Sequence, residues 1–162
     1  MQNAHIFYED ATIGLTVGVW GTTEMQETFG TYAGDKFICV LQRQFAIVDA
    51  QGFAVPAGKG DAVAFRNGAP MSWKQEGYLK KFFVTYLDPN GPVPQIATQQ
   101  EAVIVLNPYA QLSDVSDSGQ TRERTHVAFT NDAKNMTVHA FPLVEKSTQF
   151  ANRKRDIVYP PT

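Results

Sequence analysis

The chain has 162 residues, enough for one domain with a substantial core. Hydrophobic residues make up 43% of it, which excludes a disordered chain. The formal net charge of -2 lacks the basic excess that nucleic acid or an anionic membrane surface attracts, so neither is expected as a partner. The single cysteine, Cys39, excludes an internal disulfide and argues against a thiolate zinc site. It lies in the apolar run Phe37-Ile38-Cys39-Val40-Leu41, where a small buried hydrophobe is expected. The opening MQNAHIFYEDATIG has no basic start followed by an apolar core, and no stretch approaches the roughly 18 apolar residues of a spanning helix. A cytoplasmic location is the expectation.

Helical periodicity is scarce. Short segments rich in Val, Ile, Phe, Tyr and Trp are separated by Gly, Pro, Asn and Asp, the pattern of many short strands. In chain order the predicted strands are 15–20, 36–48, 61–65, 78–86, 102–106, 126–129 and 136–141. Asp49-Ala50-Gln51-Gly52, between Phe45-Ala46-Ile47-Val48 and Phe53-Ala54-Val55, has the chemistry of a tight hairpin. Pro56-Ala57-Gly58-Lys59-Gly60-Asp61 and Arg66-Asn67-Gly68-Ala69-Pro70 are further predicted turns. Turns spaced by about 8 to 12 residues point to an all-β sandwich or barrel. Asp88-Pro89-Asn90-Gly91-Pro92-Val93-Pro94 reads as a break between units, and the polar stretch 113–124 as a loop.

The two sides of that break resemble each other. An ungapped shift of 121 residues places His5 on His126, Thr16 on Thr137, Val17 on Val138, Glu24 on Glu145, Phe29 on Phe150 and Asp35 on Asp156. Ile6 then falls on Val127, Tyr8 on Phe129, Leu15 on Met136 and Trp20 on Phe141. The expected organisation is a barrel over 1–88, a linker over 89–101, and additional strands over 102–162 that form the incomplete start of a second copy. Those later strands add to the first barrel, pair with another copy of the chain, or belong to a longer two-barrel arrangement. The plain alternative is extra strands of one sandwich.

The run Gly60-Asp61-Ala62-Val63-Ala64-Phe65-Arg66-Asn67-Gly68-Ala69-Pro70-Met71-Ser72-Trp73 resembles the second conserved motif of cupins, a turn, a strand, a second turn and a returning strand. Gly18-Val19-Trp20 is similar to their opening strand, and Asp35-Lys36-Phe37-Ile38-Cys39-Val40-Leu41 to their first motif. The likeness covers about residues 10 to 88 and is nearest to the small-cupin group of ureidoglycine aminohydrolase and ethanolamine-utilisation cupins, which includes two-barrel members. It implies an all-β, cupin-type (jelly-roll) antiparallel β-barrel, and a homodimer.

The resemblance also implies a divalent metal held by two His, a Glu and a further His. Alignment of the motifs puts Gly30 and Tyr32 at the His pair, Lys36 at the Glu and Met71 at the last His, and puts Arg43 where the family has Gly. An ammonium repels a cation, so no metal and no cofactor are expected. In the second copy Ala151, Arg153 and Ile157 take the equivalent positions. His5, His126 and His139 share no metal-ligand spacing, and His5 and His126 are expected to be structural.

Tyr32, Lys36, Met71 and Trp73 are then the candidate ligand-binding residues at the barrel mouth. Lys36 supplies charge, Trp73 a flat wall and Tyr32 a hydroxyl. The competing expectation is that these side chains fill the barrel and Lys36 reaches out to solvent. The functional expectation is a non-metal protein that binds a small organic, anionic ligand or acts as an accessory or interaction module. The alternatives are an aminohydrolase- or isomerase-like enzyme using Lys36 and Tyr32, and a structural relic of a two-barrel protein. No nucleophile elbow or phosphate-cradling loop is present.

Overall fold

A computed structural model describes residues 1–91, 102–106 and 126–140. The local signal at 49–52 sets the tip of one long hairpin. Asp49 Oδ1 accepts the backbone N–H groups of Gln51 at 2.9 Å and Phe53 at 2.8 Å, and Gly52 takes φ 87°, a left-handed conformation open to glycine. This turn joins β6 (Gln44–Val48) to β7 (Ala54–Gly58) and is the tip of one long antiparallel hairpin. Its successive rungs are β5 (Asp35–Gln42) on β8 (Ala62–Phe65), β4 (Gly30–Tyr32) and β3 (Met25–Gln26) on β9 (Ala69–Gln75), and β2 (Leu15–Thr22) on β10 (Leu79–Tyr86). Folding that hairpin over itself brings β10 against β5 and β9 against β6, which is a jelly roll.

Two sheets result. One has the order β1-β2-β10-β5-β8-β11, where β1 is Gln2–Asp10 and β11 is Val103–Leu106. The other runs β3-β9-β6-β7, with β4 also on β9. Period-two alternation sends Ile38, Val40, Val63, Phe65 and Leu79 inward from the first, and Phe45, Ile47, Ala57, Met71 and Trp73 from the second, to form one core. Trp73 lies flat on Phe45, with centroids 3.8 Å apart and planes within 4°.

Several sequence expectations change in detail. The predicted strand 36–48 is two strands in different sheets. The chain turns the corner at Arg43, whose φ of 68° lies in the left-handed region. Pro56 belongs to β7 rather than to a turn, and β7 is an edge strand, where a missing N–H costs no ladder bond. Pro70 likewise begins in β9. Cys39 is half-buried rather than buried, because it alternates with the inward-facing Ile38 and Val40 and so faces away from the core. β1, β3 and β4 are strands beyond those expected from the sequence.

Beyond the barrel, β11 pairs with β8, and β12 (His126–Thr130) pairs with β13 (Thr137–Ala140). That hairpin reproduces β1–β2. Ile6↔Gly18 and Tyr8↔Val17 flank a bulge in the first, and Val127↔His139 and Phe129↔Val138 flank one in the second, the same residues shifted by 121. Asn131 fastens the copy to the barrel: its Nδ2 donates to Asp35 Oδ2 at 2.8 Å, while Arg66 Nη1 donates to the Thr130 carbonyl at 3.1 Å and pairs with Asp132 at 2.6 Å. The stretch 113–124, the matches at Glu145, Phe150 and Asp156, and the positions Ala151, Arg153 and Ile157 lie outside the described residues.

Candidate functional site

One end of the sandwich opens on a cavity of about 210 Å³ lined by Gln2, Trp20, Met25, Glu27, Tyr32, Lys36, Lys81 and Phe83. The strand register explains the set. Lys81 of β10 stands opposite Trp20 of β2 on one side and Val40 of β5 on the other. Leu79, Lys81 and Phe83 alternate on one face of β10, so Lys81 occupies a core-facing position. Lys36 enters from the start of β5 and Tyr32 from the end of β4.

Of the four residues expected at the mouth, Tyr32 and Lys36 line the cavity and touch. Lys36 Nζ donates to the Tyr32 hydroxyl at 2.7 Å and lies 4.6 Å from the ring centroid. Met71 and Trp73 do not line it. Both are buried in the core between the sheets, as β9 directs Ala69, Met71, Trp73 and Gln75 inward together. Trp73 Nε1 donates to Gln75 Oε1 at 3.2 Å. Gln75 Nε2 in turn donates to the backbone carbonyls of Thr22, Thr23 and Gly77, so the indole is fixed in place.

Sequence reasoning missed Lys81, the residue with the most unusual surroundings. It is 6% exposed. Its Nζ sits 4.4 Å from the Trp20 ring centroid and 4.0 Å from that of Trp73, so it is held between two indole faces. Burial pushes its pKa down to about 7. The charge of Lys36 pushes the same way, and Glu27 opposes both. The available signal was parity: in Leu79-Lys80-Lys81-Phe82-Phe83, Lys81 shares the face of Leu79 and Phe83.

A divalent metal does not fit these residues. Gly30 has no side chain to offer, Met71 is packed in the core, and Lys36 presents an ammonium already donating to Tyr32. Among the described residues no group of three or more His, Cys, Asp or Glu is placed to hold an ion. His5 stacks edge-on against Phe7 at 4.9 Å, away from the cavity lining. The side chains of His126 and His139 lie outside the described residues. No helix among the described residues is long and apolar enough to cross a membrane.

The two sheets, their antiparallel rungs and the wrapped hairpin decide the architecture. The fold is the cupin-type jelly roll. No protein-family model matches the chain, and no curated protein does. Among solved structures, a protein of unknown function from Pseudomonas syringae pv. tomato superposes with a TM-score of 0.49 and 23% identity, over 52% of this chain and 36% of that one. The chain covers about a third of that protein's length. The EutQ protein of Clostridium difficile gives 0.45 and 18%, over 53% of this chain and 68% of that one. A cupin superfamily protein from Desulfitobacterium hafniense gives 0.43 and 13%, over 54% and 79%.

Proposed function

We propose that the cupin barrel binds a small organic anion in the cavity between Trp20, Tyr32, Lys36 and Lys81. The supporting observation is an excess of positive charge in a confined, largely apolar space. Two lysines face Glu27 as the one acid among the lining residues, and neither lysine makes an ion pair within the described residues. A carboxylate entering the cavity would answer both ammonium groups and accept from Tyr32 or Lys36, while its carbon skeleton lies on Trp20 and Phe83. About 210 Å³ admits a small organic molecule, since a cavity of about 150 Å³ already holds benzene.

Titration calorimetry with acetate and its neutral isostere acetamide tests this reading. Acetate should bind the more tightly, and Lys36→Met and Lys81→Met should each weaken it by about tenfold, or 1.4 kcal/mol. Affinity should also fall between pH 6 and pH 8, because the Lys81 ammonium that attracts the anion loses its proton near pH 7. Equal binding of acetamide overturns the reading. One observation favours the interaction-module reading beside it: β1 is a nine-residue edge strand with Ile6, Phe7 and Tyr8 exposed.

A further inference from the structure

Lys81 is unusual for a buried lysine. Among the described residues its Nζ has no hydrogen bond and no ion pair. A buried ammonium normally recruits a carboxylate or several carbonyls, because leaving it bare in an apolar space is costly. Here the neighbours are the flat faces of Trp20 and Trp73 and the open cavity. Lys36 lines the same cavity, placing a second cation beside it. Desolvation and a neighbouring cation are the two devices that keep an amine unprotonated, and hence nucleophilic, near neutral pH.

We propose that Lys81 is a nucleophilic amine that forms an imine with small oxo acids. This rests on the anion-binding reading above and extends it by naming the substrate class, a carbonyl compound that carries a carboxylate. Lys36 and Tyr32 would hold the carboxylate and leave the carbonyl carbon facing Lys81. The Lys81 nitrogen lone pair attacks that carbon, forming a C–N bond as the carbonyl π pair moves onto oxygen. Proton transfer from nitrogen to oxygen gives the carbinolamine. The hydroxyl then takes a second proton from solvent and leaves as water while nitrogen forms the C=N bond, and the resulting iminium returns its N–H proton to solvent. Amine and carbonyl thus give imine and water, with no oxidant or reductant. Glu27 is the one acid in the lining, beside Lys36 and Lys81. The buried amine explains the preference over other lysines: burial and Lys36 bring it to about 7, with Glu27 opposing, whereas a solvated lysine is about 10.5.

The test uses the full chain at pH 7 with pyruvate and cyanoborohydride, which reduces an imine to a stable secondary amine. Peptide mapping by mass spectrometry then locates the label. Lys81 should be labelled at least tenfold faster than the exposed Lys59 and Lys74, and labelling should saturate with pyruvate concentration. Its rate should rise from pH 5.5 to a plateau above pH 7, and Lys36→Met should slow it. Met1 carries an α-amine that also reacts near neutrality, so it is scored separately. Labelling of Lys81 no faster than Lys59, or confined to Lys36 and Met1, overturns the proposal. Calorimetry with lactate, which keeps the carboxylate and lacks the carbonyl, separates the two levels. Lactate binding without Lys81 labelling overturns the imine alone, and silence with both compounds overturns the anion site as well.

Discussion

At the scale of a single residue, Lys81 trades stability for a charge in the core. The folded amine titrates near 7, and an unfolded lysine near 10.5. Between these values the unfolded chain holds a proton that the folded chain has released, so stability rises with pH across that window. Below pH 7 both states are charged and the burial penalty is present in full. Lys81→Met should therefore be more stable than the parent at pH 6, and its advantage should shrink by roughly 1.4 kcal/mol per pH unit between pH 7 and pH 9. Urea unfolding at pH 6, 7, 8 and 9 reads this directly. A parallel offset at every pH would show that the burial penalty does not arise at this side chain. Lys81 was legible in the strand parity of 79–83, yet composition overrides parity when the residue is a lysine, because lysine is seldom inside. Motif position alone singled out Tyr32 and Lys36, and both line the cavity. Met71 and Trp73 occupy the expected motif positions, but their side chains point between the sheets, and an alignment does not record direction.

At the scale of elements, one buried carboxylate helps the Arg66 contacts hold the β12–β13 hairpin on the barrel. Asp35 is buried. Its Oδ1 accepts the Asn67 N–H at 3.0 Å and its Oδ2 the Asn131 amide at 2.8 Å. Asn131 Oδ1 also accepts the N–H groups of Asn135 and Met136, each at 3.0 Å, and so closes the hairpin's own turn. Asn131→Ala leaves Asp35 Oδ2 without that partner and should cost about 1–3 kcal/mol. Hydrogen exchange should speed up most in β12 and β13 and least in β5 and β8. Unchanged exchange in β12 and β13 would remove Asn131 from this role. Strands with one buried face, such as β9 and β10, show themselves as alternation in the sequence. β3 and β4 have two and three residues and are too short to show any period. β1 is exposed on both faces along nearly its whole length, so it carries no inward-outward contrast to read. Arg43 hid a boundary for a different reason: an arginine in left-handed backbone gives no turn signal of the kind that Gly or Asn gives.

At the scale of the whole molecule, the first sheet ends on β1, with its outer row of backbone groups unpaired among the described residues. The expected homodimer has a well-suited surface here, because two antiparallel copies of one edge can pair about a two-fold axis. Sedimentation should then give twice the 18.0 kDa chain mass, and Phe7→Glu, at an exposed position on that strand, should return the monomer. A strict monomer for the parent at high micromolar concentration would exclude the arrangement. The Asp49 turn was legible as a local hairpin, whereas the jelly-roll topology was expected from the family likeness over about residues 10 to 88. The matches 121 residues apart fall on hairpins of the same register, but the bulge in each arises from backbone pairing and the docking on Asp35 from a long-range amide–carboxylate bond, neither of which a residue type announces.

The chain has two tryptophans, and both flank the same amine. All of the protein's indole emission therefore originates beside a group that gains or loses its charge near pH 7. The molecule carries its own optical indicator. The colour and yield of its ultraviolet fluorescence should shift with a single midpoint close to neutrality, report the charge on Lys81 without any added dye, and lose that midpoint in Lys81→Met.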